Sequence, residues 1–302
     1  MSAIILALKT GLNRLDHSTE QTSQSSATLW VVATPIGNLG DLSPRAQAIL
    51  AEVPVIAAED TRVSQKLVPA RSTAPHWFSL HEHNEATGIN RLIQRLRDGD
   101  DVALVSDAGT PLISDPGYRL VCAAHDHGIR VSPVPGPSAA MAALSAAGLA
   151  TDRFHFEGFL PAKSAARRTR LRALAQRSET LIFYAPARDL TAVLGDLTAE
   201  FGPQREAAIA RELTKQFETI RRDTLADLKA FVESDGNQQR GETVVLSAGA
   251  DRTSQAQTIE PMALAHELAQ ELPPARAARI IARLSGMDRR EAFAQIERLR
   301  AS

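Results

Sequence analysis

The sequence predicts an α/β protein with two α/β domains and a small C-terminal helical domain. Three observations carry this. From Leu29 to Val134, short apolar runs alternate with amphipathic segments, the pattern of a parallel sheet with helices on both faces. Pro135, Gly136 and Pro137 then make a stiff hinge, and the strand-like runs beyond it crowd together towards Ser247, as in a mixed sheet. After a polar stretch near 251–258 the chain turns helical, with apolar residues at three and four spacing from Pro274 to Arg300 and many arginines between them. The implied boundaries are a tail at 1–27, an N-terminal α/β domain over 28–135, a C-terminal α/β domain over 136–255 and a helical domain over 260–302.

The elements run in order along the chain. LWVVATP (Leu29–Pro35) is strand-like, and Ser43-Pro44 opens a helix. VIAAED (Val55–Asp60) is a second strand, followed by a helical segment through Leu67. HWFSL (His76–Leu80) is a third. Ile89 to Arg97 is helical, with Leu92, Ile93 and Leu96 on one face. DVALV reads as a buried strand, Tyr118–His127 as a helix, and IRVSPV as the next strand. Ser138 starts an Ala-rich helix that Gly148 ends. Further strands are predicted at Phe154–Leu160, Thr180–Pro186, Glu206–Leu213, Phe217–Thr224 and Gly241–Gly249.

Composition narrows the function. The 302 residues are 44% hydrophobic and 23% charged, enough for large buried cores. The net charge of −1 demands no polyanionic partner globally, but the basic residues are mostly Arg and unevenly spread. The single cysteine, Cys122, permits no internal disulfide, which fits a reducing cytoplasm. No stretch approaches the roughly 20 apolar residues of a membrane span. The apolar run Ala3–Leu8 is too short for a signal sequence, and the Ser, Thr, Gln and Asn beyond it predict a poorly ordered tail.

The loop SDAGTPLISDPG (Ser106–Gly117) holds two Gly, two Pro and two Asp beyond a buried strand, where open α/β sheets bind ligands. Asp115 is expected to cap the next helix, with Pro116 at its first position. TPIGNLGDLSPRA (Thr34–Ala46) allows close backbone approach at Gly37 and Gly40. It is neither the dinucleotide fingerprint nor a P-loop. In AAEDTR (Ala57–Arg62), Glu59 and Asp60 can bind hydroxyls or take a proton, and Arg62 can grip a phosphate; a capped helix start is the plainer reading. HEHNE (His81–Glu85) has no further ligand at a metal-site spacing, so no metal is expected, and a polar loop facing substrate through His83 or Asn84 fits better. KSAARRTRLR (Lys163–Arg172) is either a solvated helix or a phosphate grip, extended by Arg279, Arg289 and Arg290. Few aromatics lie between these charges, so backbone or shape recognition of folded RNA is expected rather than base stacking.

Taken together these segments resemble the tetrapyrrole-methylase superfamily of S-adenosylmethionine-dependent methyltransferases, and within it the ribosomal RNA branch. The residues that carry the resemblance are TPIGNLGDLSPRA, AAEDTR, HEHNE, ALVSDAGTPLISDPGYRLV, PGPSAAMAALSAAGL, FEGFLPAKS, TLIFYAP, ARELTKQFET and GETVVL, in that order. The last strand's ending, SAGADR, departs from the family's pattern. The resemblance implies two α/β domains with the cofactor in the cleft between them, a C-terminal helical domain and a homodimer. It implies S-adenosyl-L-methionine held largely by backbone atoms of Pro35, Ile36, Gly37, Asp107, Gly109, Thr110, Pro111, Ile113, Ser138, Ala139, Phe183, Tyr184 and Ala210. The implied reaction is 2′-O-methylation of a cytidine ribose in the decoding region of 16S rRNA of the small (30S) subunit. Glu59, Asp60, His83 and Lys163 are the catalytic candidates. Arg62, Lys163, Arg167, Arg168, Arg170, Arg279, Arg289 and Arg290 are the candidates for RNA. Alternatives are a precorrin-type methyltransferase and a non-catalytic RNA-binding member of the same fold.

Overall fold

The computed structural model describes residues 27–80, 85–250, 268, 272–285 and 287–301. The expected tail, apart from Ala27, lies outside the described residues, as do His81, His83 and most of the polar linker before the last helices. The chain parts into two compact units. One holds the residues up to 174 and 180–248; the other holds 175–179 and those from 249 onwards.

The first sheet comprises β1 (Thr28–Val32), β2 (Val55–Ala58), β3 (His76–Ser79), β4 (Val102–Val105) and β5 (Arg130–Val134), all parallel, in the order β3-β2-β4-β1-β5. Its central strands VIAA and VALV are wholly buried, as strands covered on both faces must be. Side chains alternate between two cores. Val55, Ala57, Val102 and Leu104 meet α3 (Glu85–Arg97) and α4 (Tyr118–Asp126) through Leu92, Leu96, Leu120 and Ala124. Ile56, Ala58, Ala103 and Val105 meet α1 (Pro44–Glu52) through Ala46 and Leu50. Ser43 caps α1, its hydroxyl accepting the Ala46 N–H at 3.1 Å, with Pro44 at the first position. The predicted helix after β2 is short: α2 (Thr61–Ser64) runs straight into a 3-10 turn at Gln65–Leu67. Pro133 sits on β5, an edge strand, where a missing donor is tolerated.

The second sheet comprises β6 (Phe154–Phe159), β7 (Thr180–Pro186), β8 (Glu206–Arg211), β9 (Thr219–Thr224) and β10 (Glu242–Ser247), in the order β6-β7-β10-β8-β9. Only β6 and β7 pair in parallel, so the sheet is mixed. One face packs on the Ala-rich helix α5 (Ala139–Ala146), with Ala140, Ala143 and Leu144 against Ile182, Ala208, Val244 and Leu246. The helices α6 (Ser164–Leu174), α7 (Leu190–Phe201) and α8 (Leu225–Ser234) form the other layer, where α7 meets β7 and α8 meets β8.

The second unit contains α9 (Pro274–Ser285) and α10 (Arg289–Ala301). They share a small core of Ala277, Ala278, Ile281, Ala292 and Ile296. Asp288 starts α10, its carboxylate accepting the Arg290 N–H at 2.8 Å. Arg276, Arg279, Arg283, Arg289 and Arg290 stay outside this core.

Candidate functional site

The loops leaving β1 and β4 lie side by side because their strands are neighbours. The Thr34 N–H donates to the Gly109 carbonyl at 2.8 Å and the Gly109 N–H returns to the Thr34 carbonyl at 3.0 Å. The Thr34 hydroxyl donates to the Ser106 carbonyl at 3.1 Å, and the Thr110 hydroxyl ties the loop to the Pro137 carbonyl at 2.9 Å. Gly109 has φ +82°, and a Cβ there would lie 3.3 Å from Ile36 Cγ2, so both conformation and space select glycine.

Leu112 and Ser114 also take left-handed backbone, at φ 73° and 69°. Such strain persists only where the surroundings over-determine it, and it concentrates at ligand sites. It also corrects the expected helix start. Asp115 does not cap α4; the loop coils on to Gly117, at φ 119°, and the helix begins at Tyr118. Asp115 is thereby released to line a cavity.

That cavity, about 440 Å³, lies between the carboxyl end of the first sheet and the α5 side of the second. The first half contributes Ile36 and the stretch Ala108–Thr110 with Ile113–Asp115. Ser138 and Ala139 open α5 against it, and the second sheet adds Phe159, Tyr184–Pro186, Ala210 and Gly241–Val244. Burial pushes the Asp115 carboxyl above the usual carboxylate range, against a hydrogen bond from Ser106, with nearby Asp107 pushing the same way. Burial also raises the Tyr184 phenol; a hydrogen bond with the Ala140 backbone opposes this and the Asp115 charge adds to it. The Tyr184 ring stands edge-on to Phe156 and Phe159, with centroids 5.0 and 5.4 Å away.

RELTKQFE turns out to be the far wall's support. Lys215 Nζ donates to Glu212 Oε1 and to Glu242 Oε2, each at 2.9 Å, and Glu242 lines the cavity. The Lys215 stem lies over Gly37, where a Cβ would come within 2.5 Å of Lys215 Cγ. Gly37 therefore serves close approach of the β8–β9 turn, not contact with the cavity. Arg211 is buried and anchors the turn, donating to the Gln238 side chain and to the carbonyls of Arg240 and Phe217 at 3.1, 3.1 and 2.9 Å.

Of the residues expected to hold a cofactor, Ile36, Gly109, Thr110, Ile113, Ser138, Ala139, Tyr184 and Ala210 line the cavity. Pro35, Gly37, Asp107 and Pro111 stand outside its lining. Asp107 is engaged elsewhere: its carboxylate accepts the Asp60 N–H at 3.0 Å, which ties the ends of β2 and β4. Phe183 also stands outside the lining: it is wholly buried, and its side chain alternates away from Ile182 and Tyr184 towards the layer of α6–α8.

Asp60 caps α2 through the Arg62 N–H at 2.9 Å and pairs with the Arg62 guanidinium at 2.6 Å. The Glu59 carbonyl accepts from the Ser79 hydroxyl at 3.3 Å. Lys163 is exposed on the turn between β6 and α6. The basic run is largely neutralised from within. Arg167 is 5% exposed and pairs with Asp196 at 2.7 Å, so it is a strut of the fold and not a contact for RNA. Arg168 and Arg172 pair with Glu200 at 2.6 and 2.9 Å, and Arg170 pairs with Glu157 at 2.5 Å. Among the described residues no three His, Cys, Asp or Glu side chains cluster as metal ligands do, and no helix is long and apolar enough to cross a membrane.

Phe159, Asp115, Arg188, Leu213 and Gly241–Val244 line the cavity without having been expected there. RELTKQFE and GETVVL were legible as motifs, but nothing local in Phe159 or Arg188 marks the cavity.

A family model described as Tetrapyrrole (Corrin/Porphyrin) Methylases matches residues 28–229. The Ribosomal RNA small subunit methyltransferase I of Xylella fastidiosa (strain Temecula1) is 52% identical over 266 residues, 88% of this chain and 97% of that protein. The protein of the same name from Pseudomonas aeruginosa is 53% identical over 265 residues, covering 87% and 94%. That from Escherichia coli O157:H7 is 44% identical over 271 residues, covering 90% and 94%. Among solved structures, the methyltransferase CobJ aligns with a TM-score of 0.56 at 24% identity, over 74% of this chain and 95% of that one. Uroporphyrin-III C-methyltransferase from Thermus thermophilus, complexed with S-adenosyl homocysteine, aligns at 0.50 and 20% identity, over 73% and 96%. At these identities the solved structures speak to the fold alone.

Proposed function

The chain belongs to the tetrapyrrole (corrin/porphyrin) methylase family, so it is a methyltransferase dependent on S-adenosyl-L-methionine, and we propose that its acceptor is RNA of the small ribosomal subunit. The observation that carries this reading is the 52% identity over 97% of the length of a relative named for that activity. The finer proposal is 2′-O-methylation of a cytidine ribose in the decoding region of 16S rRNA, by a cytoplasmic homodimer divided into domains at 28–135, 136–255 and 260–302.

The cavity suits the methyl donor. Gly109, Ser138, Ala139 and Ala210 give part of its lining small side chains and accessible backbone, and a Cβ on Gly109 would press on Ile36. When bound, the donor supplies a methyl group on a sulfonium, which the ribose oxygen takes by in-line displacement. The protein's part is to hold both reactants in line and exclude water. Ile36, Gly109–Thr110, Ile113, Ser138–Ala139, Tyr184 and Ala210 hold the donor. The hydroxyl must shed its proton as it attacks; Glu59, Asp60 and His83 are the candidates to take it, and Lys163 the candidate to favour its release or to hold the adjacent phosphate. RNA is gripped by Lys163, Arg62, the outward edges of Arg168 and Arg170, and Arg279, Arg289 and Arg290 of the helical unit.

The test is methyl transfer from labelled S-adenosylmethionine to small subunits purified from a strain lacking the protein, with the mark mapped by mass spectrometry. A single ribose-methylated cytidine is expected. Transfer to uroporphyrinogen III and none to the subunits would overturn the reading, as would donor binding with no transfer at all.

A further inference from the structure

Two exposed side chains that line the cavity are not among the residues assigned to the donor. Phe159, the last residue of β6, is 59% exposed. Its ring stands edge-on to Tyr184, at an interplanar angle of 65°. Arg188, four residues beyond Tyr184, lines the same cavity. Its side chain is 83% exposed, and the exposed Asp189 carboxylate stands 3.8 Å away, which leaves the guanidinium open to a stronger partner.

The position of Phe159 results from a β-bulge. Strict alternation would put Phe159 on the side of His155, opposite Phe156. The register between β6 and β7 slips by one residue at Glu157, so Phe156 pairs with Ile182, Gly158 with Phe183 and Phe159 with Tyr184. Phe159 is thereby turned onto the Phe156 face, over the cavity. Gly158, at φ 76°, makes this turn beside Ser114, whose Oγ would lie 3.0 Å from a Cβ there. Bulges that re-aim one side chain gather next to active sites.

An exposed aromatic face and an open guanidinium on one cavity have a complement in a nucleotide, whose planar base stacks and whose phosphate takes the planar fork. A polymeric acceptor cannot enter a 440 Å³ cavity whole. One nucleotide must reach in across the rim, away from the stack of its neighbours. We propose that Phe159 and Arg188 form the acceptor subsite, Phe159 stacking on the base of the nucleotide to be methylated and Arg188 pairing with the phosphate beside it. This rests on the reading of the protein as an RNA methyltransferase.

The experiment compares F159A, F159W, R188A and the unaltered protein in transfer to small subunits from a strain lacking the enzyme, over a range of salt. Donor affinity is measured by calorimetry, and oligomeric mass by light scattering. F159A is expected to lower kcat/KM for the subunit by about tenfold to a hundredfold, and F159W to restore most of it. R188A is expected to lower it by about tenfold and to reduce the slope of log affinity against log salt by about one. Donor affinity and mass stay unchanged in all three. Unaltered kcat/KM in F159A and R188A overturns the proposal. Parallel loss of donor affinity overturns it too, by making both residues part of the donor pocket. A change of mass in F159A makes Phe159 a subunit contact and overturns it likewise. If the unaltered protein transfers nothing to the subunits, the underlying reading fails, and the unaltered control shows this separately.

Discussion

The loop Ser106–Gly117 and the helix Ser164–Leu174 are both dense in special residues, and the fold uses them in opposite ways. The loop spends its glycines and left-handed turns on bringing backbone to the wall of a cavity, and leaves a carboxylate, Asp115, inside it. The helix turns its arginines back onto the protein. Arg167, Arg168, Arg170 and Arg172 meet Asp196, Glu157 and Glu200. A run of basic residues is therefore not yet a basic surface. What an approaching polyanion meets is set by the carboxylates that the fold has placed beside it.

The sharpest way to break this contrast is to put a branched side chain into the loop. Gly109→Val forces a β-branched residue to φ +82° against Ile36. It is expected to weaken S-adenosylmethionine binding by at least about a hundredfold, roughly 3 kcal/mol. Calorimetry checks the donor and subunit binding checks the RNA, which should be held as before. Equal loss of both would make the loop a structural element only.

On the helix side, Asp196→Ala leaves the buried Arg167 guanidinium without its carboxylate. The expected cost is about 3 kcal/mol of stability, read from denaturant midpoints. The salt dependence of RNA binding should be unchanged in this variant. A steeper salt slope, from a freed guanidinium reaching phosphate, would return Arg167 to the RNA surface.

A smaller effect separates the two regions by pH. The Arg170 guanidinium holds the Glu157 carboxyl below its usual range, against the pull of burial and with help from His155. A lowered carboxyl contributes stability above the unfolded value, about 4.3, and loses it as pH falls through the lower folded value. E157Q should therefore be less stable than the parent at neutral pH, with the difference closing in acid. Asp115 has the opposite sign. Its raised carboxyl costs stability when ionised, and the cost vanishes as pH falls through the folded value to below about 3.9. D115N should melt higher than the parent at pH 7 and equally in acid. Thermal melts across pH would break the contrast if both variants moved in the same direction.

Much of the scaffold was legible along the chain. VIAA read as a strand and VALV as a buried one because every residue is apolar, and both are buried throughout in the structure. SDAGTP read as a ligand loop because its glycines and prolines exceed what a strand-to-helix turn needs, whereas PGPSAA read as a hinge and helix start and was tied to the donor only by the resemblance. The start of α4 was misplaced because Asp115-Pro116 is a sound cap by itself, and only the left-handed Leu112 and Ser114 show that the loop continues. The face on which β7 presents Phe183 was not legible either, since it depends on the packing of the second sheet. Phe159 and Arg188 were invisible, since a bulge depends on the partner strand and a cavity on residues from both halves.

The sequence by itself determined the order of strands and helices along the chain and the ligand loop at Ser106–Gly117. These depend on periodicity, backbone permissiveness and residue spacing, all properties of near neighbours in the chain. The tertiary structure alone decided which charges are free, which aromatic ring faces the cavity and how the wall opposite the loop is propped. Arg167 meets its carboxylate 29 residues on, and Lys215 joins Glu242 at a distance of 27. Such pairings arise only when separate elements pack, because a charge is cancelled by its neighbours in space and not by its neighbours along the chain.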